Sequence, residues 1–346
     1  MKNGNKKILF FLPSFKGGGA EQVFIRLLNY LTKNNFKVSV FINRNKGEHL
    51  GRLHNEVKSH YSLIQRLPFA VFQFIIHAWL KKPDIIYVTL TYPLAVIGLL
   101  RSLFPKSTIM VGRVTNLYSQ ELKNINSLFI KKALPLALKN FDKIICQSDD
   151  MKEDLTKNVN LLNRKIYVIN NPTPENDFKN FERSGFICVG RLSKQKNYEL
   201  VIKAFSSINE ELDIYGVGPE EKKLLNLAKN LNCKNIKFRG FSNNILEKIS
   251  KSKALIVTSN FEGFSNVILE ALSCGTPIIS KEFLGGKKEI LNSKNSISFD
   301  SDDPKHLVDA VESFNQKNFE HIFIAEEAQK KYGIEKIASQ YLGLIE

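Results

Sequence analysis

The chain has 346 residues, 43% of them hydrophobic and 24% charged. That is enough for more than one hydrophobic core, and it excludes a disordered chain. The net charge of +16 is uneven: residues 1–171 carry 26 Lys and Arg against 10 Asp and Glu, whereas residues 172–346 carry 24 of each. A basic half suits a polyanion or an anionic membrane surface, although drift in a Lys- and Asn-rich sequence accounts for it equally well. Nucleic acid is disfavoured as a partner, because no recognised nucleic-acid-binding motif accompanies the charge.

Cys146, Cys188, Cys233 and Cys274 are at least 41 residues apart, so they read as reduced core thiols of a cytoplasmic protein and not as a disulfide or zinc framework. The histidines lack ligand spacing, and no metal site or cofactor is expected. The apolar segment 8–13 is too short for a secretory signal. Segment 85–100, interrupted by Thr89, Thr91 and Pro93, is shorter than a membrane span. Any membrane contact is therefore expected to be peripheral, and Lys131, Lys132, Lys139 and Lys143 around apolar 134–138 are a candidate interfacial patch.

In chain order, 8–12 reads as a buried strand, 20–34 as a helix and 37–42 as the next strand; 85–90, 108–111, 143–147 and 166–169 continue the strand series. Asn170, Asn171, Pro172, Thr173 and Pro174 break the pattern and read as a linker. Alternation then restarts, with strands at 185–189, 212–215, 236–239, 254–258 and 277–280. Helices at 198–206, 220–231, 244–251 and 266–273 lie between them. This predicts an α/β protein of two doubly wound units, with ligands bound beyond the carboxyl ends of the strands. The expected domains are 1–170 and 171–331, followed by an amphipathic segment 332–346.

Three loops after strands carry candidate chemistry. Gly17-Gly18-Gly19-Ala20-Glu21 opens a helix, where backbone amides favour a phosphate; a tight turn with no ligand fits it as well. Val189-Gly190-Arg191-Leu192, followed by Lys194 and Lys196, offers a guanidinium and an ammonium to one diphosphate, or is a solvated loop. In Glu262-Gly263-Phe264-Ser265-Asn266-Val267-Ile268-Leu269-Glu270, eight helical steps would turn the two carboxylates roughly 80° apart. With Glu262 in the loop and a helix from about Ser265, both can border one cleft, towards which the amides of Phe264, Ser265 and Asn266 point. Carboxylates accept hydrogen bonds from the vicinal diols of ribose and hexose.

Together these motifs resemble family 4 of the retaining glycosyltransferases, which have the GT-B architecture of two Rossmann-like domains facing across a cleft. The likeness rests on the glycine loop, Val189–Leu192 with Lys196, Tyr215-Gly216-Val217-Gly218-Pro219, Phe238-Arg239-Gly240-Phe241, Glu262/Glu270 and Ala271-Leu272-Ser273-Cys274-Gly275-Thr276-Pro277. It implies a metal-independent enzyme that takes a hexose or N-acetylhexosamine from a nucleotide sugar, UDP being the commonest carrier. The acceptor would be a glycan or lipid-linked glycan of a bacterial surface polysaccharide. Arg191, Lys196 and Glu262 would form the catalytic donor site. Gly18, Gly19, Gly218, Phe241, Phe264, Ser265, Asn266 and Glu270 would bind the donor, with Glu270 on ribose and the segment after Gly240 near the base. Segment 332–346 would cross back to the first domain. The family often has a first-domain histidine near the sugar; here the stretch reads Gly112-Arg113-Val114-Thr115-Asn116, making Arg113 and Thr115 the candidates for that contact. The missing histidine also admits a non-catalytic sugar-nucleotide-binding subunit, and the architecture admits an epimerase or phosphorylase.

Overall fold

The computed structural model describes residues 6–16, 18–47, 49–161, 165–175 and 181–345. Gly17 of the glycine loop lies outside them. The chain divides into two compact units, one made of residues up to Pro172 together with those from Ile334 onward, the other of Thr173–Gly333.

The first unit contains β1 (Lys7–Leu12), α1 (Gly19–Lys33), β2 (Lys37–Ile42), β3 (Lys58–Tyr61), α2 (Leu67–Lys81), β4 (Ile85–Thr89), α3 (Thr91–Leu99), β5 (Ile109–Arg113), α4 (Tyr118–Asn124), α5 (Leu128–Asn140), β6 (Lys143–Cys146), α6 (Asp149–Asn158) and β7 (Ile166–Val168). Its seven strands are ordered β3-β2-β1-β4-β5-β6-β7, and every pairing is parallel. Apolar residues fill both faces of the central strands, so the runs are continuous rather than alternating. On β1, Phe10 packs edge-on against Phe24 of α1, while the neighbouring Phe11 packs against Phe41 and Phe74 on the other face. Ser127 and Ser148 cap α5 and α6 by accepting from the amides of Ile130 and Met151, which satisfies donors a helix start leaves over.

The second unit contains β8 (Phe186–Val189), α7 (Tyr198–Phe205), β9 (Leu212–Tyr215), α8 (Glu221–Asn230), β10 (Ile236–Gly240), α9 (Ile245–Ser250), β11 (Ala254–Val257), α10 (Asn266–Ser273), β12 (Ile278–Lys281), α11 (Lys287–Ile290), β13 (Ser296–Phe299), α12 (Pro304–Asn315) and α13 (His321–Tyr332). Its parallel sheet is ordered β10-β9-β8-β11-β12-β13. Between 185 and 281 the strands and helices read from the sequence are all present, with ends shifted by no more than one residue. The order reverses between β8 and β11, as it does between β1 and β4, so each unit is doubly wound with a switch point there.

After α13 the chain leaves the second unit, and α14 (Ile334–Leu342) joins the core of the first. The Tyr87 hydroxyl donates to the Tyr341 carbonyl at 2.5 Å, and Lys143 Nζ donates to the Leu344 carbonyl at 2.7 Å. Lys143 is thereby tied to the chain's last residues. Leu134 and Leu138 are buried as well. The interfacial patch expected around 134–138 is corrected accordingly: α5 must pack these leucines on the sheet, and only Leu136 of the stretch is a well-exposed large apolar side chain. Among the described residues no helix is long and apolar enough to cross a membrane. The four cysteines form no disulfide, and burial pushes the Cys146 thiol up to about 12.

Candidate functional site

Glycine turns follow three strands at the carboxyl edge of the second sheet. Gly190 ends β8, and its amide donates to the Tyr215 carbonyl at 3.0 Å. Gly216 ends β9 with φ +139, and a Cβ there would lie 1.9 Å from the Gly190 carbonyl oxygen. Both the backbone conformation and the close approach require glycine at 216. Its amide donates in turn to the Gly240 carbonyl at the end of β10, at 2.8 Å. Gly218 is close-packed in the same way, since a Cβ would sit 2.2 Å from the Leu192 carbonyl oxygen. These turns hold the loop after β8 in place and leave two side chains exposed. Arg191 has no side-chain partner among the described residues, and Phe241, just past β10, is 50% exposed.

Lys196 closes a 3-10 turn, Lys194–Lys196, that leads into α7. Its ammonium pairs with Oε1 of Glu262. The Ser259 hydroxyl donates to the same oxygen at 2.7 Å, while Oε2 of Glu262 has no protein partner among the described residues. The two loops are stitched across the switch point by hydrogen bonds to backbone carbonyls. Thr258 Oγ1 donates to the carbonyls of Lys196 and Asn197 at 2.9 and 3.1 Å. The Asn260 amide donates to Gln195, and Gln195 Nε2 donates to the Phe261 carbonyl, both at 2.8 Å. Tyr198 is fully buried alongside; burial, with Cys188 and Glu262 nearby, pushes its pKa well up, so the phenol stays neutral.

A second loop supports Glu262 from behind. The Glu262 amide donates to Leu284 at 3.2 Å, and the Gly286 amide donates to Gly263 at 3.0 Å. Gly285 has φ +126 and would drive a Cβ to 1.9 Å from the Glu262 carbonyl oxygen. Phe264 is a core side chain, 6% exposed, with its ring edge-on to Tyr332 at 5.9 Å. Only its backbone could therefore serve a ligand. Ser265 immediately precedes α10, and its hydroxyl is buried without a partner among the described residues and does not cap the helix. Asn266 is the first residue of α10, and Glu270, one turn on, is 8% exposed between buried Leu269 and Ala271. Thus the structure joins Lys196 directly to Glu262, sets Arg191 on the same loop as Lys196, and places Glu270 on the helix that Glu262 precedes.

The first unit has a different carboxyl edge. Gly18 is the extended residue before α1 and Gly19 its first residue. Glu21, at the third helical position, is buried, and its Oε2 atom, which has no hydrogen-bond partner among the described residues, would be 2.2 Å from a Cβ at Gly18. Burial raises the Glu21 pKa; its own backbone amide and the charge of Arg113 oppose this. Arg113 is 2% exposed. Its guanidinium donates to Asn171 Oδ1 at 2.5 Å and to Thr89 Oγ1 at 3.3 Å, so it is engaged inside the unit, whereas Thr115 is half-buried in the loop beyond β5.

Some of these features carry no signal in the sequence. Ser259 is a lone serine three residues before Glu262. Leu90, between β4 and α3, has φ +71 and ψ 145, a region that costs a residue with a side chain on the order of 1–3 kcal/mol. The Gly285-Gly286 pair stands in the sequence with no recognisable motif around it. Among the described residues no group of three or more His, Cys, Asp or Glu is placed to hold a metal ion.

Two family profiles tile the chain: Glycosyltransferase Family 4 matches residues 17–176 and Glycosyl transferases group 1 matches 173–335. A Campylobacter jejuni N-acetylgalactosamine-N,N'-diacetylbacillosaminyl-diphospho-undecaprenol 4-alpha-N-acetylgalactosaminyltransferase is 27% identical over 82% of this chain and 83% of its own. An amylovoran biosynthesis glycosyltransferase of Erwinia amylovora is 25% identical over 82% and 83%. Among solved structures, Anabaena Alr3699/HepE in complex with UDP and glucose superposes with a TM-score of 0.82 at 18% identity, covering 99% of each chain. A lipopolysaccharide outer core galactosyltransferase superposes at 0.72 with 19% identity, over 98% of this chain and 99% of its own. The chain belongs to family 4 of the glycosyltransferases, with the GT-B fold, and it is a glycosyltransferase.

Proposed function

We propose that this enzyme transfers a hexose or N-acetylhexosamine from a nucleotide sugar, with UDP as the expected carrier, and that it retains the anomeric configuration. The acceptor is a glycan or lipid-linked glycan assembled at the cytoplasmic face of the cell membrane for a bacterial surface polysaccharide. The observation that carries this reading is the Glu262 carboxylate. One oxygen is fixed by Lys196 and Ser259, the other has no protein partner among the described residues and is left for a ligand hydroxyl, and the exposed Arg191 lies on the same loop as Lys196. The relatives support the acceptor class, one by a diphospho-undecaprenol substrate and one by amylovoran biosynthesis in their names. UDP and glucose in the Anabaena structure support the donor class.

In this reading Arg191 and Lys196 neutralise the donor diphosphate as it departs, doing with two side-chain cations what a divalent metal does elsewhere. Glu262 orients Lys196 and accepts from hydroxyls of the transferred sugar. The amides of Phe264, Ser265 and Asn266 assist there, Glu270 holds the ribose, and Phe241 lies by the base. The bond from C1 to the leaving phosphate oxygen breaks as the acceptor oxygen bonds to C1 from the same face, and the acceptor proton passes to the leaving phosphate. Neither glutamate then acts as a nucleophile, in contrast to the paired carboxylates of retaining glycosidases.

The test is a thermal-shift screen of UDP-linked hexoses and N-acetylhexosamines, followed by product analysis with polyprenyl-diphosphate-linked saccharides. We expect stabilisation by one or a few donors and an α-linked product from an α-linked donor. A β-linked product would remove retention, and no stabilisation and no transfer from the whole panel would remove the donor reading.

A further inference from the structure

The helix α2 lacks a water-facing polar side. Its inward residues, including Val71, Phe74 and Ala78, are buried on the sheet, yet its outward residues are Phe69, Phe72, Ile76, Trp79 and Leu80, each more than half exposed. They extend over about 16 Å at 1.5 Å per residue. The polar side chains between them are engaged elsewhere. Gln73 accepts from the Leu63 amide at 2.8 Å and from the Ser62 hydroxyl at 3.2 Å, and His77 lies ring to ring with His60 at 4.2 Å. A helix apolar on all sides is normally buried, and an exposed contiguous apolar patch marks an interaction surface. The patch is also held firmly, because Trp79 Nε1 donates to the Leu103 carbonyl at 2.9 Å. On the same helical layer, α5 exposes Leu128, Phe129 and Leu136.

Charge selects the occupant. Between Glu56 and Asp142 the chain has 11 Lys and Arg but only Asp84 and Glu121 as acids. Both acids are taken: Asp84 accepts from the Lys7 amide at 2.7 Å, and Glu121 accepts from Thr91 at 2.5 Å. Exposed Arg66 precedes the apolar face, exposed Lys81 and Lys82 follow it, and exposed Lys132 and Lys139 interleave with the leucines of α5. A second copy of this chain would bring two cationic rims together, which costs energy at short range. An anionic bilayer offers acyl chains to the apolar side chains and headgroups to the cations. We propose that α2 is a membrane-docking helix that inserts Phe69, Phe72, Ile76, Trp79 and Leu80 at the acyl boundary of an anionic bilayer. This deepens the reading of a lipid-linked acceptor by naming the surface that meets the lipid, and it is tested without turnover so that the two can fail separately.

Trp79 is the one tryptophan of the sequence, so intrinsic fluorescence reports on this surface alone. The full chain is mixed with vesicles of phosphatidylcholine, and of phosphatidylcholine with about 30 mol % phosphatidylglycerol, with and without brominated acyl chains. We expect a blue shift and bromine quenching with the anionic vesicles, weakened by high salt. Ile76→Glu should lower binding roughly tenfold or more, and Lys81→Glu with Lys82→Glu should remove the preference for phosphatidylglycerol. Vesicle binding without bromine quenching of Trp79, equal salt-insensitive binding to both vesicle types, or no binding would each overturn the proposal. A solution dimer with Trp79 already shielded from an aqueous quencher would do so too, by assigning the face to a second copy. Docking without sugar transfer would leave it standing and would count against the functional reading alone.

Discussion

The two units share a doubly wound sheet but put their unusual residues in different places. The second concentrates them at the carboxyl edge of the sheet, where glycine turns bring loops close and one carboxylate is held half-occupied. The first buries the polar residues of its own edge, with Arg113 donating to Asn171 and Thr89, and exposes an apolar helical face instead. A small charged ligand needs a few groups at fixed separations, which short motifs encode. A surface needs area and charge balance, which motifs do not encode. The same architecture can therefore serve either kind of recognition, and the distribution of exposed side chains tells which.

This contrast can be broken first at Glu262. Glu262→Ala should lower transfer by about 10²–10³-fold while the protein remains folded, as followed by initial rates and circular dichroism. Wild-type rates would remove the site. Next, Gly216→Ala puts a side chain where the Gly190 carbonyl sits and should destabilise the second unit by about 2–3 kcal/mol. Calorimetry should show the loss in the second unit's transition, with the first unit's transition unmoved. Arg191→Lys should cost about tenfold in transfer and Arg191→Ala more, because an ammonium keeps the charge but loses the fork. Equal rates for both variants would leave charge alone as the contribution.

The smallest effect belongs to the first unit. Burial first, then His60 and Lys81, lowers the His77 pKa from its ordinary 6.5 to about 4, and His60 is lowered in the same direction. Between those values the unfolded chain holds a proton that the folded chain does not, so this contribution is complete above pH 6.5 and declines as the pH falls towards 4. Solvent screening keeps it small, since His77 is only half-buried. Melting temperatures measured across that window should slope less in His77→Phe than in the parent chain. An unchanged slope would place the dependence elsewhere.

The second unit was the more legible of the two from its residues. Its first three strands run into Gly190, Gly216 and Gly240, most of its helices are amphipathic and short, and Arg191, Lys196 and Glu262 lie in ordered motifs, so the loops after strands could be identified. What the sequence could not supply was which oxygen of Glu262 is occupied, because that depends on Ser259 and on the loop at Leu284–Gly286 folding behind it. In the first unit nothing was assigned between 43 and 84, and α2 lies there. A helix apolar on every side has no period by which to tell its inner face from its outer one. Arg113 is the opposite case: a charged side chain after a strand reads as a ligand contact, and only the fold shows that it is committed to Asn171. The patch expected on α5 is narrowed for the reason α2 is illegible: leucines at 134, 136 and 138 look alike until a sheet lies beneath them, and only Leu136 of the three stays exposed.

The return of α14 to the first unit has a consequence for the order in which the protein is made. Tyr87, deep in the first sheet, donates to a carbonyl 254 residues later, and Ile337, Ala338 and Tyr341 complete a core begun by Phe10 and Phe24. On the ribosome, residues 173–333 emerge before those side chains exist. The unit that begins first is thus finished last, and until then the α1 side of its sheet stands open. Domains usually mature from the amino end; here the second unit can be complete while its predecessor still waits for α14, a window in which chaperones would find their target in the first unit.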